Sequence, residues 1–203
     1  MRFISKETEG STLYKLLTGT VIPRPIGWIS TRSNSGNHNL APFSFFNAVG
    51  EDPPHVMFST VRTGDKNKDT LNNVLENKEF VVNLVTEELV EAMNATSAPL
   101  LPEENEFEYA GLTTLSSDFI KPFRVKEALV HFECEMVHHY FLEDHKNGGA
   151  CVVIGKIICI HVNDEIVNEK FHIDLSKYRP VARLAGSNYS KLGEMFSIKR
   201  QLK

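Results

Sequence analysis

The run Ala150–Val162, "ACVVIGKIICIHV", limits the fold more than any other stretch of this chain. It is almost wholly apolar and rich in β-branched residues, so it reads as a strand. Its one glycine, Gly155, marks a bulge or bend of the kind a curling barrel needs. Upstream, Val130, Phe132, Cys134 and Met136 alternate with His131, Glu133 and Glu135, the period of a strand with one buried face. Asn147-Gly-Gly stands between the two runs as turn chemistry. Ala128–Tyr140 and Ala150–Val162 are therefore expected to pair as long antiparallel strands.

Four further extended segments accompany this pair. Val21–Thr31, "VIPRPIGWIST", has two prolines that confine its first half to an edge or an entry segment. The turn "RSNSGN" (Arg32–Asn37) leads into a second run at Leu40–Val49, and Glu51-Asp-Pro-Pro54 breaks the chain before His55–Thr60. Phe80–Thr86 is the remaining strand. Helices enter as inserts. Thr70–Asn77 places Leu71, Val74 and Leu75 on one face, with Asp69 or Thr70 as N-cap. Glu87–Thr96 groups Leu89, Val90 and Met93, and Pro99 and Pro102 end it. Pro99–Asp118 is acidic and irregular, an expected surface flap. The whole chain, 1–203, is expected to form one mainly β domain with appended α-helices.

A net charge of −4 provides no broad basic field, so no nucleic-acid partner is expected and any anion must be held locally. The N-terminus lacks an apolar signal core and no run approaches eighteen apolar residues, so the expectation is a cytoplasmic protein with no membrane partner. Cys134, Cys151 and Cys159 show no ligand spacing and are expected as buried reduced thiols. His138, His139 and His145 lack the spacing of a metal triad, and no metal is expected. There is no GxSxG and no GxGxxG, which argues against a serine hydrolase and a Rossmann dinucleotide site.

One segment does carry anion chemistry: Ser59–Thr70, "STVRTGDKNKDT". It ends at the start of a helical pattern, where unpaired backbone N–H groups and the helix dipole favour a phosphate. Arg62 and Lys66 or Lys68 add charge, and Ser59 and Thr70 add hydroxyls. A solvated turn before a capped helix is the competing reading on charge alone.

Upstream motifs change that balance. Arg24–Thr31 "RPIGWIST", Asn39–Asn47 "NLAPFSFFN", Asp52-Pro-Pro54, Phe58-Ser59 and Lys68-Asp69-Thr70 resemble the flavin reductase-like family of FMN-binding split-barrel proteins, which includes flavoredoxins. The resemblance continues through "FVVNLV" (Phe80–Val85), "EAMNATSAP" (Glu91–Pro99), "EFEYAGLT" (Glu106–Thr113) and "RLAGSNYSKLGEMF" (Arg183–Phe196). It implies a six-stranded antiparallel split β-barrel of Greek-key type and a homodimer. It implies an FMN phosphate held by Ser59, Arg62, Lys68 and Thr70, with Thr60 and Asp69 as further cofactor-binding positions. It sets the flavin ring against Asn39, Ala41, Pro42, Phe43 and Ser44, with Phe43, Phe45, Phe46 and Trp28 as candidate ring neighbours. It also implies NADH or NADPH as electron donor and an oxygenase or electron-transfer protein as partner. Asn147-Gly-Gly-Ala150 departs from the family's Gly-Asp-His element, Ala185 from "RLGG", and Gln201 from a proline. Three functions stay open: a nicotinamide-dependent flavin reductase, a flavoredoxin-like carrier, and a non-catalytic barrel for a phosphorylated ligand. No catalytic side chain is singled out.

Overall fold

The computed structural model describes residues 1–61, 66–142 and 149–201. Helix α1 (Gly10–Thr20) precedes four strands, β1 (Gly27–Arg32), β2 (His38–Phe43), β3 (Phe46–Glu51) and β4 (Pro54–Val61). Helix α2 (Asp69–Asn77), strand β5 (Glu79–Leu84), and helices α3 (Val90–Ala95) and α4 (Glu106–Tyr109) follow. Then come β6 (Thr114–Leu115), β7 (Arg124–Val125), β8 (Val130–Leu142), β9 (Ala150–Val162), α5 (Leu175–Tyr178), β10 (Val181–Arg183) and β11 (Tyr189–Lys191).

Seven strands form one antiparallel sheet in the order β2-β1-β5-β8-β9-β4-β3. Its two ends, β2 and β3, are joined by Ser44 and Phe45 alone, so the sheet has to curl back on itself. Ser59 N–H donates to the Phe45 carbonyl at 2.8 Å across that closure. Inward side chains from every strand meet in one core, including Ile29, Phe43, Phe46, Phe58, Phe80 and Val153. Phe58 lies at its centre, tilted on Phe43 at 5.2 Å and edge-on to Phe80 at 5.3 Å. Leu71 and Val74 of α2 join the same core.

The expected pair of long strands is present as β8 and β9, and Gly155 serves as expected. The register slips between Met136 and His138, opposite Gly155, so the extra residue sits on the partner strand. The ring of Phe80 fills the space a Cβ at Gly155 would occupy. The expected count of six strands becomes seven because Leu40–Val49 is not continuous: at Ser44 and Phe45 the chain leaves its pairing with β1 and takes up pairing with β4. Pro42 is tolerated because β2 is the sheet's last strand on that side.

A second core lies on the outer face of β1 and β2, where Ile26, Trp28 and Leu40 meet Met93 of α3, Phe107 of α4 and Val181 of β10. It makes β1 buried on both faces. The expected helix at Glu87–Thr96 is split into a 3-10 turn, Glu87–Leu89, and α3. The expected flap is partly ordered: Asn105 caps α4 by accepting from Phe107 N–H at 3.1 Å, which seats Phe107 in the core. Helix α1 was not legible beforehand, since its face against the body is thin and Tyr14 and Leu17 stay exposed. Among the described residues no helix is long and apolar enough to cross a membrane.

Candidate functional site

Where β2 breaks toward β3, the chain leaves an open cleft of ≈ 350 Å³ between the barrel mouth, the start of α2 and the segment after α3. One wall is Ala41, Pro42, Phe43, Ser44 and Phe45; the opposite end is Ser59, Lys68, Asp69 and Thr70. A volume of this size falls within the range of about 300–1,000 Å³ typical of small-molecule sites.

The wall is set by strand alternation. In β4 the side chains of Val56, Phe58 and Thr60 point into the barrel, so Ser59 and Val61 point out and line the cleft. Thr60, an expected cofactor-binding position, is thereby corrected to an interior position: it is 1% exposed, and its Oγ1 has no hydrogen-bond partner among the described residues. Arg62 lies outside the described residues, as do His145 and most of the Asn147-Gly-Gly turn. The other expected positions, Asn39, Ala41, Pro42, Phe43, Ser44, Ser59, Lys68, Asp69 and Thr70, line the one cleft.

At the polar end, α2 starts at Asp69 with Lys68 as N-cap, and no side chain caps it. The expected capping role of Asp69 or Thr70 is therefore corrected. Leu71 and Asn72 N–H groups both return to the Lys68 carbonyl, at 2.9 and 3.1 Å. The Asp69 and Thr70 amides precede those bonds and open the helix toward the cleft. The hydroxyl of Thr70 is occupied on its acceptor side: Asn39 Nδ2 donates to Oγ1 at 2.8 Å, and also reaches Thr31 Oγ1 at 3.3 Å. Asn73 Nδ2 donates to the same Thr31 oxygen at 3.0 Å, so four buried side chains lock α2 to the β1–β2 hairpin. Among the described residues no acceptor takes the Thr70 O–H proton.

Four contributors escaped sequence reasoning. Glu106 lines the cleft and accepts from Leu40 N–H at 3.1 Å through Oε2. Burial is the main cause holding its carboxyl above the usual range, with Asp69 and Glu104 adding like charge. Residues Thr96–Leu100 form a rim, fixed by the bond from Trp28 Nε1 to Thr96 Oγ1 at 2.8 Å. Trp28 is thus a support and not a cleft residue; Phe46 also stays in the core, while Phe43 and Phe45 line the cleft. Arg24, 6% exposed, donates to the carbonyls of Thr18, Val21 and Leu184 at 2.8, 2.7 and 2.9 Å and reaches Ser44 Oγ at 3.4 Å. It ties α1 and the β10–β11 end to the cleft wall. Tyr14 of α1 is the fourth. The only prior signal was that "RPIGWIST", "EAMNATSAP" and "EFEYAGLT" belonged to recognisable motifs.

A second cavity of ≈ 370 Å³ continues from the first, sharing Tyr14, Pro42, Ser44 and Ser97, and extends to Arg24, Arg183 and Tyr189. The guanidinium of Arg183 stands 4.6 Å from the Tyr189 ring centroid and donates to the Tyr189 hydroxyl.

The chain resembles known proteins over its full length. The family model described as flavin reductase like domain matches residues 18–182. An uncharacterized protein of Aquifex aeolicus (strain VF5) is 48% identical over 192 residues, covering 94% of this chain and 95% of the relative. The crystal structure of nitrilotriacetate monooxygenase component B from Bacillus cereus superposes with a TM-score of 0.93 at 37% identity, covering 98% of both chains. The 2-nitrobenzoate 2-nitroreductase NbaA of Pseudomonas fluorescens follows with a TM-score of 0.86 at 28% identity, covering 99% of this chain and 96% of that one.

Proposed function

The chain belongs to the flavin reductase-like family, and on that premise we propose that it is an FMN-binding flavoprotein oxidoreductase that takes hydride from NADH or NADPH and passes electrons to an acceptor. The observation that carries this reading is the two-ended cleft: a wall of Ala41, Pro42, Phe43 and Ser44 and a polar end at Ser59, Lys68 and Thr70. The residues fit the cofactor. A flavin ring needs a flat wall that backbone can approach, and Ala41 and Pro42 leave that space. A phosphate needs donors, which the α2 amides, the exposed Lys68 ammonium and the Thr70 hydroxyl supply.

When bound, FMN supplies the redox chemistry. The chain's own contribution is position. Asn39 orients the Thr70 hydroxyl, Arg24 holds Ser44, and Trp28 holds the Thr96–Leu100 rim over the opening. The adjoining cavity at Arg24, Arg183 and Tyr189 reaches the same Pro42–Ser44 wall, which supports an approach of the second reactant from that side. The name of the Bacillus cereus relative as a monooxygenase component supports an oxygenase as acceptor.

Titrations of the chain and of Lys68→Ala with FMN and riboflavin test the site. A lost charged bond is worth about 1.5–3 kcal/mol, so FMN should weaken roughly tenfold to hundredfold while riboflavin stays unchanged. Equal weakening of both ligands would remove Lys68 from the phosphate. Anaerobic mixing of the FMN-loaded protein with NADH and NADPH tests the donor: bleaching of the flavin absorbance supports the reductase, and inertness to both would replace it with a carrier reduced by a protein.

A further inference from the structure

Outside the cleft, the face of β8 and β9 turned away from the barrel core carries a cluster with a different chemistry. Cross-strand register sets Glu133 opposite Cys159 and His131 opposite His161, under the segment that runs from Ser116 to Arg124. Glu133 is fully buried. Its Oε1 accepts from Asp118 N–H at 2.8 Å and faces His161 Nε2 at 2.7 Å, and its Oε2 accepts from Phe119 N–H at 2.9 Å. Cys159 Sγ stands 3.4 Å from the same His161 Nε2. The sulfur, the imidazole nitrogen and a carboxylate oxygen all lie within 4.8 Å of one another. None of the three residues lines the cleft.

We propose that Glu133, Cys159 and His161 form a three-ligand binding site for zinc(II), with a fourth position open to water. The donor set fits in type and in charge. Zinc takes thiolate, imidazole and carboxylate together, and one thiolate with one carboxylate balances its two positive charges. The spacing fits as well. Donors at bond lengths of about 2.0–2.3 Å around a tetrahedral zinc are about 3.3–3.6 Å apart. The sulfur–nitrogen separation already has that value, and the Glu133–His161 contact has to open by roughly half an ångström to match it. The two backbone amides on Glu133 are the outer partners that orient a ligating carboxylate. Cys159 and His161 are both partly open to solvent, which provides the entry path that the fully buried Glu133 lacks. Binding releases the Cys159 thiol proton to solvent and moves the imidazole proton from Nε2 to Nδ1, leaving the ring neutral and no group oxidised. Because Cys159-x-His161 spans one strand repeat and Glu133 comes from the next strand, no linear metal-ligand spacing announces the site.

Cobalt(II) as a spectroscopic substitute tests it on the full-length chain after chelator treatment. One equivalent of cobalt should produce the visible bands of a four-coordinate site together with a thiolate-to-cobalt charge-transfer band, and one equivalent of zinc should abolish both. Cys159→Ser should lose the charge-transfer band, and His161→Gln should weaken zinc at least tenfold, with folding checked by circular dichroism. The remaining cysteines, Cys134 and Cys151, lie in the barrel core, so a thiolate band reports Cys159. Absence of that band in the wild-type chain, which does not depend on any variant folding, would overturn the proposal and leave Glu133 and His161 as a structural hydrogen-bonded pair. A band that survives Cys159→Ser would overturn it equally.

Discussion

Asn39 Nδ2 donates to Thr70 Oγ1 at 2.8 Å, and this one bond joins strand β2, which forms the cleft wall, to the first turn of α2, which forms its polar end. Both side chains are buried, Thr70 at 1% exposure. Thr70→Val keeps the shape and removes the acceptor, leaving the Asn39 amide with only its longer bond to Thr31. A buried donor left short of its partner costs about 1–3 kcal/mol. Urea denaturation should register that loss for Thr70→Val and almost none for Thr70→Ser, which retains the hydroxyl. FMN affinity should follow the same order. A Thr70→Ser variant as unstable as Thr70→Val would mean that the methyl group, and not the hydrogen bond, makes the link.

Gly155 sets the curvature of the barrel through what it leaves out. A Cβ there would strike the edge of the Phe80 ring and come within 3.3 Å of Cys134 Cβ. Phe80 cannot retreat, because it is fully buried and edge-on to Phe58. Gly155→Ala should therefore destabilise the fold by about 1–3 kcal/mol, the usual cost of overpacking. Adding Phe80→Leu should recover part of it, since the two changes share one volume. Thermal melts of the two single variants and the double variant decide the matter: strict additivity would show that Gly155 is needed for its backbone alone.

What was legible in the sequence followed periodicity and steric punctuation. β8 was legible because Val130–Met136 alternate apolar and polar, β9 because thirteen almost wholly apolar residues rich in β-branched side chains follow a turn, and the apolar face of α2 because Leu71, Val74 and Leu75 recur at helical spacing. The break at Ser44 and Phe45 was not, because a chain that changes partners stays extended and keeps its strand-like residues. Thr60 was misplaced as a neighbour of Ser59 for the same reason: adjacent residues of a strand face opposite ways, and the sequence does not say which of the two faces the core. Arg24, Glu106 and Tyr14 reach the cleft through contacts between segments far apart in the chain, which no local pattern encodes.

The expected homodimer would cover apolar surface that one copy leaves exposed. Val137, Tyr140 and Leu142 are exposed along the outer half of β8, and Met195, Phe196 and Ile198 are 67%, 82% and 83% exposed in a C-terminal segment without regular structure. Exposed large side chains in such number mark an interaction surface, and a second copy is its commonest occupant. Sedimentation should give a mass near twice 22.9 kDa. Phe196→Ser combined with Ile198→Ser should move the equilibrium toward the monomer at low concentration. A wild-type chain that sediments as a monomer with flavin bound would reject the dimer.

The carboxyl of Glu106 gives the last prediction, because its charge is held close to the cleft. Burial, aided by Asp69 and Glu104, favours its neutral form and raises its pKa above 4.5, against the bonds from the backbone that favour the carboxylate. A group with a raised pKa binds its proton more tightly in the folded chain than in the unfolded one. Its contribution to stability is therefore present below the unfolded value and is lost as pH rises through the folded value. Glu106→Gln fixes the neutral form at every pH while keeping an oxygen to accept from Leu40 N–H. The variant should be the more stable of the two at pH 7, and the difference should shrink as pH falls toward 4.5. Removing this negative charge from the neighbourhood of Lys68 and the α2 amides should also tighten FMN more than riboflavin. Denaturant midpoints for both proteins at pH 5 and pH 7 measure the first effect. A gap between them that is independent of pH would show that Glu106 contributes through its hydrogen bond and not through its charge.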